Sequence, residues 1–461
     1  MGHYVPHTEP EIVEMLAFMG LSSIEELFET IPEALRLVAG PQDLAGGADR
    51  HLDLADGLSE PDVRHEMARL AARNAACGAE LVCFAGGGAY DHEIPTAVTS
   101  VAFRSEFVTA YTPYQPEVAQ GVLQALFEYQ TMVSRITGLP VANASLYDGA
   151  TACVEAVNLA VAAKGRPMIW VSRGVNPRWR ETMATFAAGT GHDLMTVDLA
   201  DGRTAWPGAV GAKRVRTGEP AALLVAQPNY LGGLEDVAEA RRVADAHGAL
   251  LIVAFDPVSA GLLHTPGSLG ADVVVGEGQP LGTPLSLGGP YLGLFATSLE
   301  LVRRLPGRLV GETLDAEGTR AYVTTLRTRE QDIRREKASS NVCTNQTLIA
   351  VVAAVQLAWL GTTGLRELAL RCARATRYTR EAVLAIDGVE PLADVATLRE
   401  FAVRLPVEPE TVVERMAEEG FLAGIALGAE YGERGLLVAA TERRTRAEID
   451  AYAAALEKVV R

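Results

Sequence analysis

The apolar run ALLIVAF ends in Asp256, and the next buried run, DVVVG, leads into Glu277-Gly278-Gln279-Pro280. A carboxylate at such a strand end can hydrogen-bond the nitrogen of a pyridine ring, keep it protonated and make the ring an electron sink. A third string, Tyr147-Asp148-Gly149-Ala150-Thr151, opens an Ala-rich helical segment. There Asp148 fits a cap, Gly149 leaves the backbone accessible, and the free amides of a helix start favour a phosphate. Each string has a plainer reading too: Asp256 as a solvated loop acid, Asp148 as the cap of an ordinary helix.

A ring and a phosphate held in this way describe a pyridoxal phosphate pocket, which needs a primary amine to capture the aldehyde. The chain has only four lysines. Lys164 follows a helix in a Gly-Arg-Pro turn, Lys213 sits in the basic loop GAKRVR and Lys458 lies in the last helical stretch, so all three read as solvated surface charges. Lys337, in IRREKASSNVCTNQ, can approach a cleft but comes long after the sheet-forming runs. Arginine is no substitute, because a guanidinium stays protonated. The expectation is a pocket on the pyridoxal phosphate plan, with Asp148, Gly149, Thr151 and Asp256 as its remains, that cannot form the internal Schiff base.

The elements that must position these groups are legible from periodicity. A helix (ATACVEAVNLAVAA) precedes MIWVS, another near WRETMATFAAG precedes DLMTVDL, and AALLVAQ leads through EDVAEARRVADAHG to ALLIVAF and DVVVG. Buried β-runs separated by amphipathic helices predict a mostly parallel sheet covered on both faces. PYLGLFAT follows DVVVG too closely for a helical crossover and is expected to pair antiparallel. Val118, Val122, Leu126, Val133 and Ile136 fall near helical spacing and predict one apolar helix face. Gly86, Gly87 and Gly88 read as a tight backbone corner.

At 461 residues the chain exceeds the roughly 100 to 150 residues of one domain. We expect an N-terminal helical arm and linker (1–58), a large α/β domain (59–306) and a smaller C-terminal α+β domain (307–461) in which helices dominate from Gly318 to Ile386. Thr8 and Glu11 form a capping box for the first helix, and GPQDLAGGADRHLDLADG reads as linker. The net charge of −17 argues against nucleic acid. No apolar run reaches the roughly 20 residues that cross a bilayer, and MGHYVPHTEP has no secretory pattern, so a cytoplasmic location is expected. Five cysteines without a CxxC pair read mainly as buried structural thiols rather than a disulfide or zinc scaffold.

The strings YVPHTEPEIVEMLAFMGLSSIEELFETIP, GAYDHEIP, RSEFVTAYTPYQPEVAQGVLQALFEYQTM, VANASLYDGATA, VVVGEGQPLG, GGPYLG and REQDIRREKASSNVCTNQ resemble the P-protein family of the glycine cleavage system, on the side of its subunit 1. They cover nearly the whole chain, with weaker agreement between about Gly165 and Pro220 and after Asp387. The resemblance implies a fold type I pyridoxal phosphate architecture. It also implies a homologous second subunit whose lysine holds the cofactor. The implied reaction releases CO2 from glycine and passes the aminomethyl carbon to the lipoyl arm of the H-protein.

In that fold the site lies at a subunit interface, so a chain without the nucleophile can still line it. Candidates are Tyr111, Thr112, Tyr114 and Gln115, on the proline-stiffened loop TAYTPYQPE, which also reads as a turn packing its tyrosines. Arg335, Asn341, Thr344 and Asn345 form a second cluster, where an arginine can attract a carboxylate, though 334–337 equally fits a solvated charge run. His92 is read as structural rather than a base, since no metal-ligand spacing accompanies it. The alternative is a catalytically silent subunit that only stabilises its partner or docks the carrier.

Overall fold

Alternating β-branched runs and helices build a seven-stranded sheet in the computed structural model, which describes residues 6–32, 35, 57–109, 113–207, 218–342 and 344–461. The strand order is Val141–Ala142, Gly293–Thr297, Val273–Glu277, Leu250–Phe255, Ala222–Gln227, Met168–Ser172, Asp193–Val197. The last five of these are parallel. Gly293–Thr297 pairs antiparallel with its neighbours on both sides, as its short connection requires.

Side chains two apart point to one face of a strand, and both faces are covered. Leu251, Val253 and Phe255 pack with residues of the helices Gln120–Thr137, Val237–Ala246 and Thr347–Leu384, whereas Ile252 and Ala254 pack with the helix Gly149–Lys164 and with Met183. In the helix Gln120–Thr137, Val122, Leu126 and Val133 are buried as the spacing predicts. Val118 departs from that reading: it lies in a 3-10 turn before the helix and is 81% exposed.

A second, antiparallel sheet runs in the order Glu390–Pro391, Glu400–Arg404, Gly435–Ala439, Ile425–Ala426. Phe401 and Val403 pack there with Met416 and Tyr452 of the helices Pro409–Glu418 and Arg446–Val460. Val82–Cys83 pairs in parallel with Phe421–Leu422 and feeds Phe84 into this layer, where its ring stacks 4.0 Å from that of Tyr452. Helices dominate from Gly318 to Ile386 as expected, most of the stretch being the helix Thr347–Leu384, but an unexpected β-hairpin, Leu309–Leu314 with Arg320–Thr325, leads into them. Thr and Tyr at alternate positions of its second strand suit that pleat. The helix Thr347–Leu384 is long and apolar enough to cross a membrane by length and composition. Half of its apolar window is buried inside the protein, and Gly361 breaks it with φ 59° and ψ −173°.

The chain divides into two compact units, Met1–Ala75 and Ala76–Arg461. In the first, Glu11 accepts hydrogen bonds from the Thr8 amide at 2.7 Å and its hydroxyl at 2.8 Å, starting the helix Glu9–Met19. Ser59 caps Glu60–Ala71. The linker reading falls almost wholly outside the described residues. Of the described cysteines, Cys83, Cys153 and Cys372 are buried and Cys77 is exposed.

Candidate functional site

Phe255 and Gly276 are register partners on adjacent parallel strands, so Asp256 and Glu277 emerge side by side at the carboxyl end of the sheet, where ligands of open α/β sheets collect. Neither carboxyl group is free. Asp256 Oδ2 lies 2.8 Å from Arg399 Nη2, and the two side chains are 11% and 4% exposed. Arg399 belongs to the approach of the second sheet, directly before Glu400–Arg404. Its guanidinium carbon sits 3.4 Å from the centre of the Tyr90 ring. The Arg399 Nη1 group donates to His92 Nε2 at 2.7 Å.

That contact fixes the imidazole tautomer: a nitrogen facing an arginine N–H must accept, so the His92 proton is on Nδ1. It is donated to Glu442 Oε2 at 2.7 Å. Burial works against the Glu442 charge, but the His92 hydrogen bond and the Glu93 amide outweigh it and hold the carboxyl down at about 2. Cys372 also reaches Glu442, 3.4 Å away. His92, Cys372 and Glu442 stand close enough to hold a metal, yet both His92 nitrogens are used and the arginine opposes a cation. The cluster is a buried relay of hydrogen bonds, which fits the structural reading of His92. A carboxyl lowered from 4.5 stabilises the fold fully above pH 4.5 and loses that contribution as the pH falls toward 2. Glu442→Gln is therefore expected to flatten the loss of stability between pH 5 and pH 2.5, read as urea midpoints across that range.

Glu277 is equally committed. Its Oε2 accepts from the Gly149 amide at 2.9 Å and its Oε1 from the Gln279 and Leu292 amides at 2.9 and 3.0 Å. Burial pushes this carboxyl up to about 8 against the downward pull of the three amides. Asp148 caps its own helix, accepting from the Thr151 amide at 2.7 Å and hydroxyl at 2.8 Å. The ring of Trp179 closes over Gly149, where an added Cβ would come within 2.4 Å of it. In the strand-end stretch Glu277-Gly278-Gln279-Pro280, which offers no amine, the Gln279 amide accepts from Tyr90 N and donates to Tyr90 O and Thr283 O.

Pyridoxal phosphate does not fit what remains. The cavity between Asp256, Glu277, Trp179 and Arg399 has about 70 Å³, against the roughly 300 Å³ at which small-molecule sites begin. Asp148, Gly149, Thr151 and Asp256 are brought together through Glu277, but the Gly149 and Thr151 amides, Asp148 Oδ1 and both Asp256 oxygens are taken by the chain itself. Sequence reasoning missed Arg399, Tyr90 and Trp179. Their partners lie far off in the chain, and Arg399 stands at the head of an apolar strand with no motif around it.

Among the interface candidates, Tyr114 is 48% exposed. Its hydroxyl accepts from Arg308 at 2.9 Å while that guanidinium lies 4.6 Å over its ring. Gln115 is exposed; Tyr111 and Thr112 lie outside the described residues. Asn345 donates to Ala144 O and Ser145 Oγ, which brings the second cluster to the approach of the Gly149 helix. Ser340 anchors the same loop on Glu155, whose carboxyl burial pushes up to about 7. Thr344 is half-buried, whereas Asn341, Arg335 and Lys337 face solvent. Arg335 has φ 53° and ψ −124°, a strained backbone for a side-chain-bearing residue.

A model of the glycine cleavage system P-protein family matches residues 2–456. The probable glycine dehydrogenase (decarboxylating) subunit 1 of Moorella thermoacetica is 46% identical over 99% of this chain and 99% of its own length. The same protein of Chlorobium chlorochromatii is 45% identical over 98% of each. Among solved structures, a glycine decarboxylase (P-protein) of the glycine cleavage system in inhibitor-bound form superposes with a TM-score of 0.89 at 44% identity, covering 99% of this chain and 100% of that one. An alanine–glyoxylate aminotransferase from Nostoc, at 18% identity and a TM-score of 0.58 over 90% of this chain and all of that one, shares the fold alone.

Proposed function

We propose, since the chain belongs to the glycine cleavage system P-protein family, that it is one subunit of a two-subunit glycine dehydrogenase (decarboxylating). The assembled enzyme decarboxylates glycine and transfers the aminomethyl group to the lipoyl arm of the H-protein, in the cytoplasm. The observation that carries this reading is the filled strand end. The stretch 277–280 offers no amine, and Gln279 within it makes its hydrogen bonds inside the chain, so the cofactor belongs on a lysine of a homologous partner. Pyridoxal phosphate there supplies the electron sink.

This chain's part is to line the shared site with Tyr111, Thr112, Tyr114, Gln115, Arg335, Asn341, Thr344 and Asn345. The strained Arg335 supports that role, since such backbones persist chiefly where function requires them. The division at 306/307 into a large and a small domain belongs to the same reading. For Tyr114 and Asn345 the silent-subunit alternative has its own support, because Arg308 and the Ala144–Ser145 backbone already engage them.

Co-expression with the homologous lysine-bearing subunit, followed by an assay of bicarbonate exchange into glycine, tests the proposal. Exchange is expected from the pair and none from this chain alone. Gln115→Ala and Asn341→Ala are expected to slow it while association stays intact; wild-type rates from both would favour the silent subunit. Exchange by this chain alone would sink the proposal.

A further inference from the structure

The pocket is filled with more order than loss of a lysine requires. Once the amine is gone, drift predicts loosened packing, an open cavity or apolar fillers. Instead a guanidinium meets Asp256 at 2.8 Å and spreads over the Tyr90 ring, while one carboxyl oxygen of Glu277 takes the helix-start amide of Gly149 at 2.9 Å. A planar cation against the strand-end acid has the chemistry of a protonated pyridine ring. An oxygen acid on a helix N-terminus has the chemistry of a phosphate group.

We propose that the chain carries its own built-in ligand, Arg399 in the place of the ring and Glu277 in the place of the phosphate, and that this ligand clamps the antiparallel sheet onto the parallel one. The clamp follows from where the groups come from. Asp256 and Glu277 end strands of the parallel sheet, whereas Arg399 and Glu400 lead the strand Glu400–Arg404 of the other. Glu400 closes the same joint from its second side, accepting from Tyr90 Oη at 2.7 Å and the Gly87 amide at 3.0 Å. In such a chain the two sheets are held together without any cofactor, and adding a lysine alone does not reopen the pocket. The inference concerns this chain's interior and stands whether or not the partner assignment does.

The test uses the full chain and two readouts. Arg399→Ala is expected to lower the thermal unfolding midpoint by roughly 5 °C or more, as an unpaired buried charge should. Millimolar guanidinium is expected to restore part of that loss, and equal ammonium none. The restoration should vanish when Asp256→Asn is added. An Arg399→Ala midpoint equal to the parent's, or a loss that guanidinium and ammonium relieve equally, overturns the proposal. If Arg399→Ala gives no folded protein, Arg399→Lys carries the measurement, since lysine cannot reach both Asp256 and His92; a midpoint equal to the parent's again overturns it. In the second readout, Gln279→Lys incubated with pyridoxal phosphate is expected to gain no borohydride-sensitive visible absorbance. Gain of such absorbance by that single variant means the pocket is open and the proposal fails.

Discussion

Arg335→Ala, assembled with the lysine-bearing subunit, is expected to lower kcat/KM for glycine by about 10- to 100-fold while the subunits still associate. The magnitude is that of removing one charge-assisted hydrogen bond, about 1.5 to 3 kcal/mol. Arg335 is exposed in this chain, so its loss leaves the fold intact, and its strained φ of 53° relaxes in no obvious way on truncation. A purely structural arginine predicts unchanged kinetics with a shifted unfolding midpoint. Arg335→Lys separates the cases further: a single donor on a flexible stem should recover part of the rate but not the bidentate geometry. Steady-state bicarbonate exchange at varied glycine concentration checks both variants.

Gly232→Ala is expected to be the most damaging single methyl group that can be added at a described glycine of the second unit. A Cβ there would lie 1.9 Å from the carbonyl oxygen of Glu400 and 2.5 Å from its carbon, at a φ of +82°. The obstacle is backbone, and it cannot step aside. Asn229, itself buried, ties the turn with hydrogen bonds from the Leu231 and Gly233 amides and to Gly202 O. Leu234 then continues it into a hydrogen bond with Ala396 O. Relief therefore has to move Glu400 and with it Arg399, breaking the ion pair to Asp256. The loss should be about 4 kcal/mol or more. Gly121→Ala is the control: it lies in the helix Gln120–Thr137 with nothing within 4 Å of the new methyl, and should be neutral or stabilising by about 0.5 to 1 kcal/mol. Urea unfolding of both variants decides the comparison.

The parallel sheet was legible because each of its elements is a local pattern. ALLIVAF is apolar on both faces, as a strand covered on both sides must be, and the Ala-rich helix before MIWVS announces its own crossover. The hairpin Leu309–Leu314 with Arg320–Thr325 was not, because it is largely polar and half solvated, so the alternation that marks a strand is weak there. Of the site, the carboxyl-end position of Asp256 and the capping role of Asp148 could be read from strand ends and helix starts. What could not be read is the company they keep. Arg399 meets Asp256 only through the tertiary fold, and it falls after Asp387, where the resemblance to the family is faintest. Nothing in LREFAVRL distinguishes a buried counter-ion from the surface arginines that this Arg-rich chain uses everywhere.

The parallel pairing of Val82–Cys83 with Phe421–Leu422 joins segments more than 300 residues apart in the chain. On the ribosome, Phe84 must therefore wait, solvated, until the helix carrying Tyr452 has left the exit tunnel. A nascent chain stopped before Thr445 would own a finished parallel sheet and an unfinished companion, with an aromatic side chain and a strand edge exposed to any neighbour. Such non-local closure is slow and invites association with other chains, so the C-terminal helix governs how long the newborn protein stays vulnerable.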